Sequence, residues 1–136
     1  MKAIKEMSLA FGLLALRLGF GLLLARHGYG KVFGGHIDQM VAGVAALGFP
    51  LPLYFAWAAA LSEFAGGLMV VLGIATRVAA SFIAVTMAVA FFGAHAADSF
   101  QVKELAFAYL VVAGSLILTG PGAICLDRII TDRKKG

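Results

Sequence analysis

Among the side chains of this 136-residue sequence that carry charge or titrate within or beside long apolar runs, six could do chemistry: Arg17, His27, Lys31, Glu63, His95 and Glu104. Two imidazoles and a carboxylate, His27, His95 and Glu104, are ligand types for a transition metal, and they are equally the groups that exchange protons with a quinol headgroup. Lys31 beside them could stabilise the negative charge of a reduced quinone or of an anionic sulfur substrate. No H-x-x-H or E-x-x-H pair places two ligands on one helix face, so no metal site is assigned. The plainer reading is that these groups are solvated at a membrane interface. His36, in a loop, is read as solvated rather than functional.

Other chemistries lack their residues. A single cysteine, Cys125, excludes an intrachain disulfide and a CxxC redox pair. The sequence offers no nucleophile with a nearby base, no Gly-rich nucleotide loop and no paired-cysteine metal site. An activity of its own is therefore not expected, and any redox chemistry belongs to a cofactor, with quinone the candidate, or to a partner.

The elements that must position these groups follow from composition. The chain is 62% apolar and 13% charged, against about a quarter charged in soluble domains. Most of it must therefore be solvated by hydrocarbon, and the fold class is an all-α, integral membrane four-helix bundle within a single domain over residues 1–136. A net charge of +4 does not suggest nucleic acid, because the basic residues are scattered and end in a "DRKK" tail suited to anionic headgroups. Lys2 and Lys5 ahead of an apolar run resemble a signal peptide, but Arg17 interrupts a run too long for that role and no A-x-A-like site follows. The run is read as a retained first span.

Crossing about 30 Å of hydrocarbon takes roughly 20 apolar residues, and four segments qualify: residues 8–30, 53–74, 77–96 and 101–119. "GFPLP" at 48–52, "GIATR" at 73–77 and "TGPG" at 119–122 break them with Gly and Pro. Asp98 followed by Gln101 resembles a capping box opening the fourth span. Between spans one and two, Ile37, Met40, Val41, Val44 and Leu47 recur at helical spacing in a stretch too short to cross, which predicts an interfacial or re-entrant helix. After Pro121, Ile124, Ile129 and Ile130 among Arg and Lys predict a short amphipathic helix on the membrane face.

The Lys and Arg bias sets orientation. Lys2, Lys5, Arg77, Arg128, Arg133, Lys134 and Lys135 fall on one side, against Arg26, Lys31 and Lys103 on the other, so both termini are expected in the cytoplasm. Tyr54 and Trp57 then lie near the outer interface.

Depth along the spans singles out two charges. Arg17 lies about 13 Å above Ser8, and Glu63 about 15 Å above Gly73, at roughly 1.5 Å per residue. A lone charge near the midplane costs at least about 2.5–3.5 kcal/mol, so a buried Arg17–Glu63 ion pair between spans one and two is expected. Such a pair can mark a proton or quinone path, or it can simply fix which helices are neighbours. His27, His95 and Glu104 fall at similar depth near the outer surface, with Lys31 slightly beyond, and form a candidate ligand pocket. On span one, Arg17, Gly21, Leu24, Gly28 and Lys31 lie within about 40° of one direction, with His27 at the edge. That stripe should face the bundle, its glycines admitting close backbone approach, as should Gly66 and Gly67 in "SEFAGG". Gly12 and Gly19, opposite, are left to lipid or another subunit.

The pattern R-x3-G-x6-G-x2-K on span one, "LGFPLP", "LSEFAGGLMVVLGIATR" and "TGPGAICLDR", in this order over nearly the whole chain, resembles the DoxX family of small bacterial membrane proteins. The resemblance implies a four-span protein of the bacterial inner membrane. It also implies association with respiratory or sulfur redox systems, since relatives are subunits of quinone-linked thiosulfate oxidation or membrane partners of oxidative-stress enzymes. Arg17, His27, Gly28, Lys31, Glu63, Gly66, Gly67, Arg77, Gly120, Pro121, Asp127 and Arg128 occupy the family pattern, which assigns no catalytic residues. The expected function is a redox-accessory membrane subunit that binds quinone or a redox partner protein at the outer pocket. A scaffold that docks a partner without a site of its own is the alternative. A small-solute or proton transporter is weaker, because four spans without repeats or broken helices would need homo-oligomer formation to create a pore.

Overall fold

The computed structural model describes residues 1–134; Lys135, one of the inner-face charges counted above, lies outside the described residues. The chain is an all-α helical bundle: α1 Lys2–Val32, α2 Ile37–Ala46, α3 Pro52–Leu72, α4 Thr76–Val89 continued by a π-helical turn Ala90–Ala94, α5 Phe100–Thr119 and α6 Leu126–Arg133. Four helices, Lys2–Val32, Pro52–Leu72, Thr76–Ala94 and Phe100–Thr119, are long and apolar enough to cross a membrane. Their outward side chains, Leu22, Leu23, Phe82, Val85 and Leu118 among them, are exposed, as hydrocarbon-facing surfaces require.

Gly and Pro set the ends of these helices. Pro52 opens α3 at its first position, where the missing N–H costs nothing. Gly73, at φ 72°, closes α3, with the N–H groups of Gly73 and Ile74 both donating to the Met69 carbonyl. Gly120, at φ 73°, ends α5 with its N–H donating to the Leu116 carbonyl, and Pro121 follows it. The expected capping box at Asp98 and Gln101 does not form. Ser99 takes the N-cap position of α5, because Asp98 is drawn back into the preceding turn, its N–H donating to the His95 carbonyl.

α1 packs on α3, α3 also on α2 and α4, and α4 on α5. The core between the spans is Phe20, Leu24, Val70, Ala79, Ala80, Ile83, Met87, Tyr109, Ala113 and Leu116. α1 and α5, the ends of this series, meet through long side chains such as Phe20 and Tyr109, whose rings pack edge-on at 5.6 Å.

Glycine sets the register of α1 against α3. A Cβ on Gly21 would lie 2.6 Å from the Gly67 carbonyl oxygen, one on Gly67 would lie 2.8 Å from the Ala25 nitrogen, and one on Gly28 would overlap the Phe64 backbone. The two backbones are thus as close as the absence of side chains allows. Gly66 faces α4 instead, with Ile83 3.4 Å from where its Cβ would be.

Candidate functional site

That register decides which charges meet. Antiparallel contact of Gly21 and Ala25 with Gly67, and of Gly28 with Phe64, places Arg17 beside the last turn of α3. It places Glu63 roughly 16 Å further along the bundle, at about 1.5 Å per residue. The expected Arg17–Glu63 pair is therefore replaced by two separate arrangements. Counting depth from Ser8 misplaced Arg17, because α1 runs from Lys2 and its N-terminal half extends beyond the end of α3.

Arg17 is 1% exposed and is satisfied entirely by carbonyl oxygens. Its Nε donates to Val70 O at 2.9 Å and its Nη2 to Val71 O at 2.9 Å. Its Nη1 donates to Pro121 O at 2.7 Å and to Ile124 O at 2.6 Å. Val70 and Val71 belong to the final turn of α3, whose last carbonyls lack helical partners and carry the negative end of the helix dipole. The guanidinium thus caps α3 and ties down the segment that follows α5. Asp127 completes this end. Its Oδ2 accepts from the Ala75 N–H at 2.7 Å, holding Ala75 at φ 43°, and its own N–H donates to Gly73 O at 3.2 Å. Nothing in the apolar periodicity pointed to these roles, although "LGIATR" and "TGPGAICLDR" contain Gly73, Ala75, Pro121, Ile124 and Asp127 of the clamp.

Glu63 is held by Lys31. The Lys31 Nζ lies 2.7 Å from Oε1 and 2.6 Å from Oε2, with side-chain exposure of 31% for Lys31 and 4% for Glu63. The lysine sits at the end of α1 and reaches inward along apolar surface to a nearly buried carboxylate.

The pair lines a cleft of about 180 Å³ together with Leu24 and His27 of α1, Met87 and Ala90 of α4, His95, and Val102, Leu105, Ala106 and Tyr109 of α5. His27, Lys31 and His95, expected to lie near one another, do share this cleft. Glu104 does not line it. Val102, Leu105, Ala106 and Tyr109 form the cleft-facing stripe of α5 at helical spacing, and Glu104 lies on the opposite, exposed side. Tyr109, absent from the expected site, is buried and stacks edge-on against His27, ring centroids 6.2 Å apart. Its i+3 and i+4 relation to Ala106 and Leu105 was the available signal.

At the mouth, His95 Nδ1 donates to Asp98 Oδ2 at 2.7 Å, with both side chains exposed. His95 directly follows the π-helical turn, a local widening of the helix often found at working sites. His36, by contrast, lies away from the cleft, bonded through Nδ1 to Gly30 O at 3.0 Å. Among the described residues, no three His, Cys, Asp or Glu side chains converge to hold a metal ion. The cleft therefore offers a free ammonium proton, a phenol, two imidazoles and apolar walls, a set suited to hydrogen-bonding a small headgroup.

A family model described as DoxX matches residues 12–96 of the chain. The inner membrane protein YphA of Escherichia coli (strain K12) is 37% identical over 100 residues, covering 67% of this chain and 71% of that protein. The inner membrane protein YqjF of the same organism is 33% identical over 100 residues, covering 71% and 73%. No solved structure matches.

Proposed function

The chain belongs to the DoxX family, and on that premise we propose that it is an accessory subunit of an inner-membrane redox system that takes a quinone headgroup into the Lys31–Glu63 cleft. The observation that carries this reading is the pairing itself. A lysine and a glutamate held 2.6 Å apart in the spanning region share a cleft with His27, His95 and Tyr109. Intramembrane ionisable groups are costly and tend to mark functional paths. At about 180 Å³ the space is smaller than the roughly 300–1,000 Å³ of sites that enclose a whole small molecule. It suits a single ring, with the tail left in lipid between α1 and α5. Such a group supplies two-electron redox chemistry when bound. Lys31 would donate to a ring carbonyl, Tyr109 and His27 would fix the ring's orientation, and Leu24, Met87 and Leu105 would keep water away.

With the N-terminus in the cytoplasm, the Arg17 and Asp127 end faces inward and the cleft opens toward the outer leaflet. Anionic lipids would meet Arg128 and Arg133 of α6. The wholly structural use of Arg17 favours a second reading, a scaffold that docks a redox partner or a second copy without a ligand of its own.

Gentle purification from native membranes, followed by mass spectrometry and by thermal unfolding with added ubiquinone-1 or menadione, separates the two. Co-purified quinone, or a Tm raised by quinone in the parent and not in Lys31→Met, supports the site. Quinone-free protein with an unmoved Tm leaves the scaffold.

A further inference from the structure

The cleft is asymmetric in its polar surroundings. Toward the Arg17 end it is backed by Phe20, Val70, Ala79, Ala80, Ile83, Ala113 and Leu116, all apolar, five of them with no exposed surface. Toward the other end lie His95, its ring bonded to the Asp98 carboxylate, and His27 on the α1 wall. The titratable groups around the Lys31–Glu63 pair are thus His27 on α1, Tyr109 on α5, and His95 with Asp98 on the connection to α5. From α4 the lining is Met87 and Ala90, neither of which titrates, and Asp38 of α2 is exposed.

We infer that the Lys31–Glu63 pair is a proton-exchange site open to one membrane face only, with His95 and Asp98 as the relay at its mouth. The chemistry balances within these residues and water. A proton leaving a protonated Glu63 carboxyl passes through cleft water to His95 Nε2, which returns Glu63 to the carboxylate held by Lys31. The Nδ1 proton of the imidazolium moves to Asp98 Oδ2, and from there to solvent. Uptake runs in reverse. The Nδ1–Asp98 bond fixes this path: it commits Nδ1 to the exposed carboxylate and leaves Nε2 as the free ring nitrogen for the cleft. Passage the other way would require a proton to cross the apolar core, where a bare charge costs several kcal/mol. The inference concerns the same cleft but does not depend on which ligand occupies it.

The test is modification of Glu63 by dicyclohexylcarbodiimide, which reacts with protonated carboxyls in apolar surroundings. It uses the full chain in sealed right-side-out and inverted vesicles, with strong buffer inside and the pH varied outside. Peptide mass spectrometry reads the extent. We expect the rate to fall as the face bearing the connection at residues 95–99 is made alkaline, and to ignore the pH of the other face. In His95→Gln and in Asp98→Asn, the approach to that dependence after a pH jump should slow about tenfold or more, with the final extent at acid pH unchanged. Dependence on the opposite face or on both faces, a response unslowed in both variants, or a Glu63 that is unmodified at every pH would each overturn the inference. None of these outcomes depends on quinone binding.

Discussion

At the scale of single residues, the two partners of the Lys31–Glu63 pair are not equivalent. Glu63 has 4% of its side chain exposed and Lys31 31%, so removing the lysine strands a carboxylate in the bundle, whereas removing the glutamate frees an ammonium that already reaches the surface. Lys31→Met should therefore destabilise the protein by about 3–5 kcal/mol, and Glu63→Leu by only about 1 kcal/mol. The double variant should recover most of the larger loss, because well-packed apolar residues replace a buried pair at little cost. Denaturant unfolding in detergent measures all three. A double variant as unstable as Lys31→Met alone would show that the lysine acts through something other than the charge of Glu63. Arg17 belongs to the same scale but to a different physics: four carbonyl acceptors and a helix dipole, rather than a carboxylate, stabilise its charge.

At the scale of elements, the helices were legible in the sequence and their register was not. Apolar runs bounded by "GFPLP", "GIATR" and "TGPG" give the last three spans to within about two residues, because hydrocarbon demands length and Gly and Pro end helices, whereas α1 starts at Lys2, well before the expected Ser8. The stripe of Arg17, Gly21, Leu24 and Gly28 was likewise readable, and all four are buried. Axial position was not readable, since it depends on which glycines of α1 meet which of α3. That choice moved Glu63 from Arg17 to Lys31. The contacts predict sharply different costs for chemically identical changes. Gly67→Ala places a methyl against backbone atoms of Ala25 and Gly21, which cannot swing aside, whereas Gly12 and Gly19 have nothing within 4 Å. Gly67→Ala should lower stability by about 1–3 kcal/mol. Gly12→Ala and Gly19→Ala should be neutral or raise it by up to about 1 kcal/mol through helix propensity. Thermal unfolding of the three variants reads this, and equal effects at all three positions would mean that α1 and α3 are not held together by glycine.

At the scale of the whole molecule, the two ends of the bundle differ in charge as well as in construction. Lys2 and Lys5 on the N-terminal half of α1, Arg77 beside the α3–α4 turn, and Arg128, Arg133 and Lys134 on or beside α6 lie toward the end where Arg17 and Asp127 close the helices. Arg26, Lys31 and Lys103 lie toward the cleft. Basic residues near span ends are retained on the cytoplasmic side and are attracted to anionic lipid there, by about 1 kcal/mol each. In the proposed orientation this asymmetry puts the clamp in the cytoplasm and the mouth of the cleft at the opposite face. A fluorescent protein fused after residue 136 should accordingly light up in the cytoplasm, and alkaline phosphatase fused at the same point should stay inactive. Replacing Arg77, Arg128 and Arg133 together by Gln reduces the excess on that side by three charges, and should yield a measurable fraction of inverted molecules with active phosphatase. An active phosphatase in the parent would reverse the orientation. It would turn His95 and Asp98 toward the cytoplasm, and would thereby change which compartment exchanges protons with Glu63 without changing the one-sidedness of the exchange.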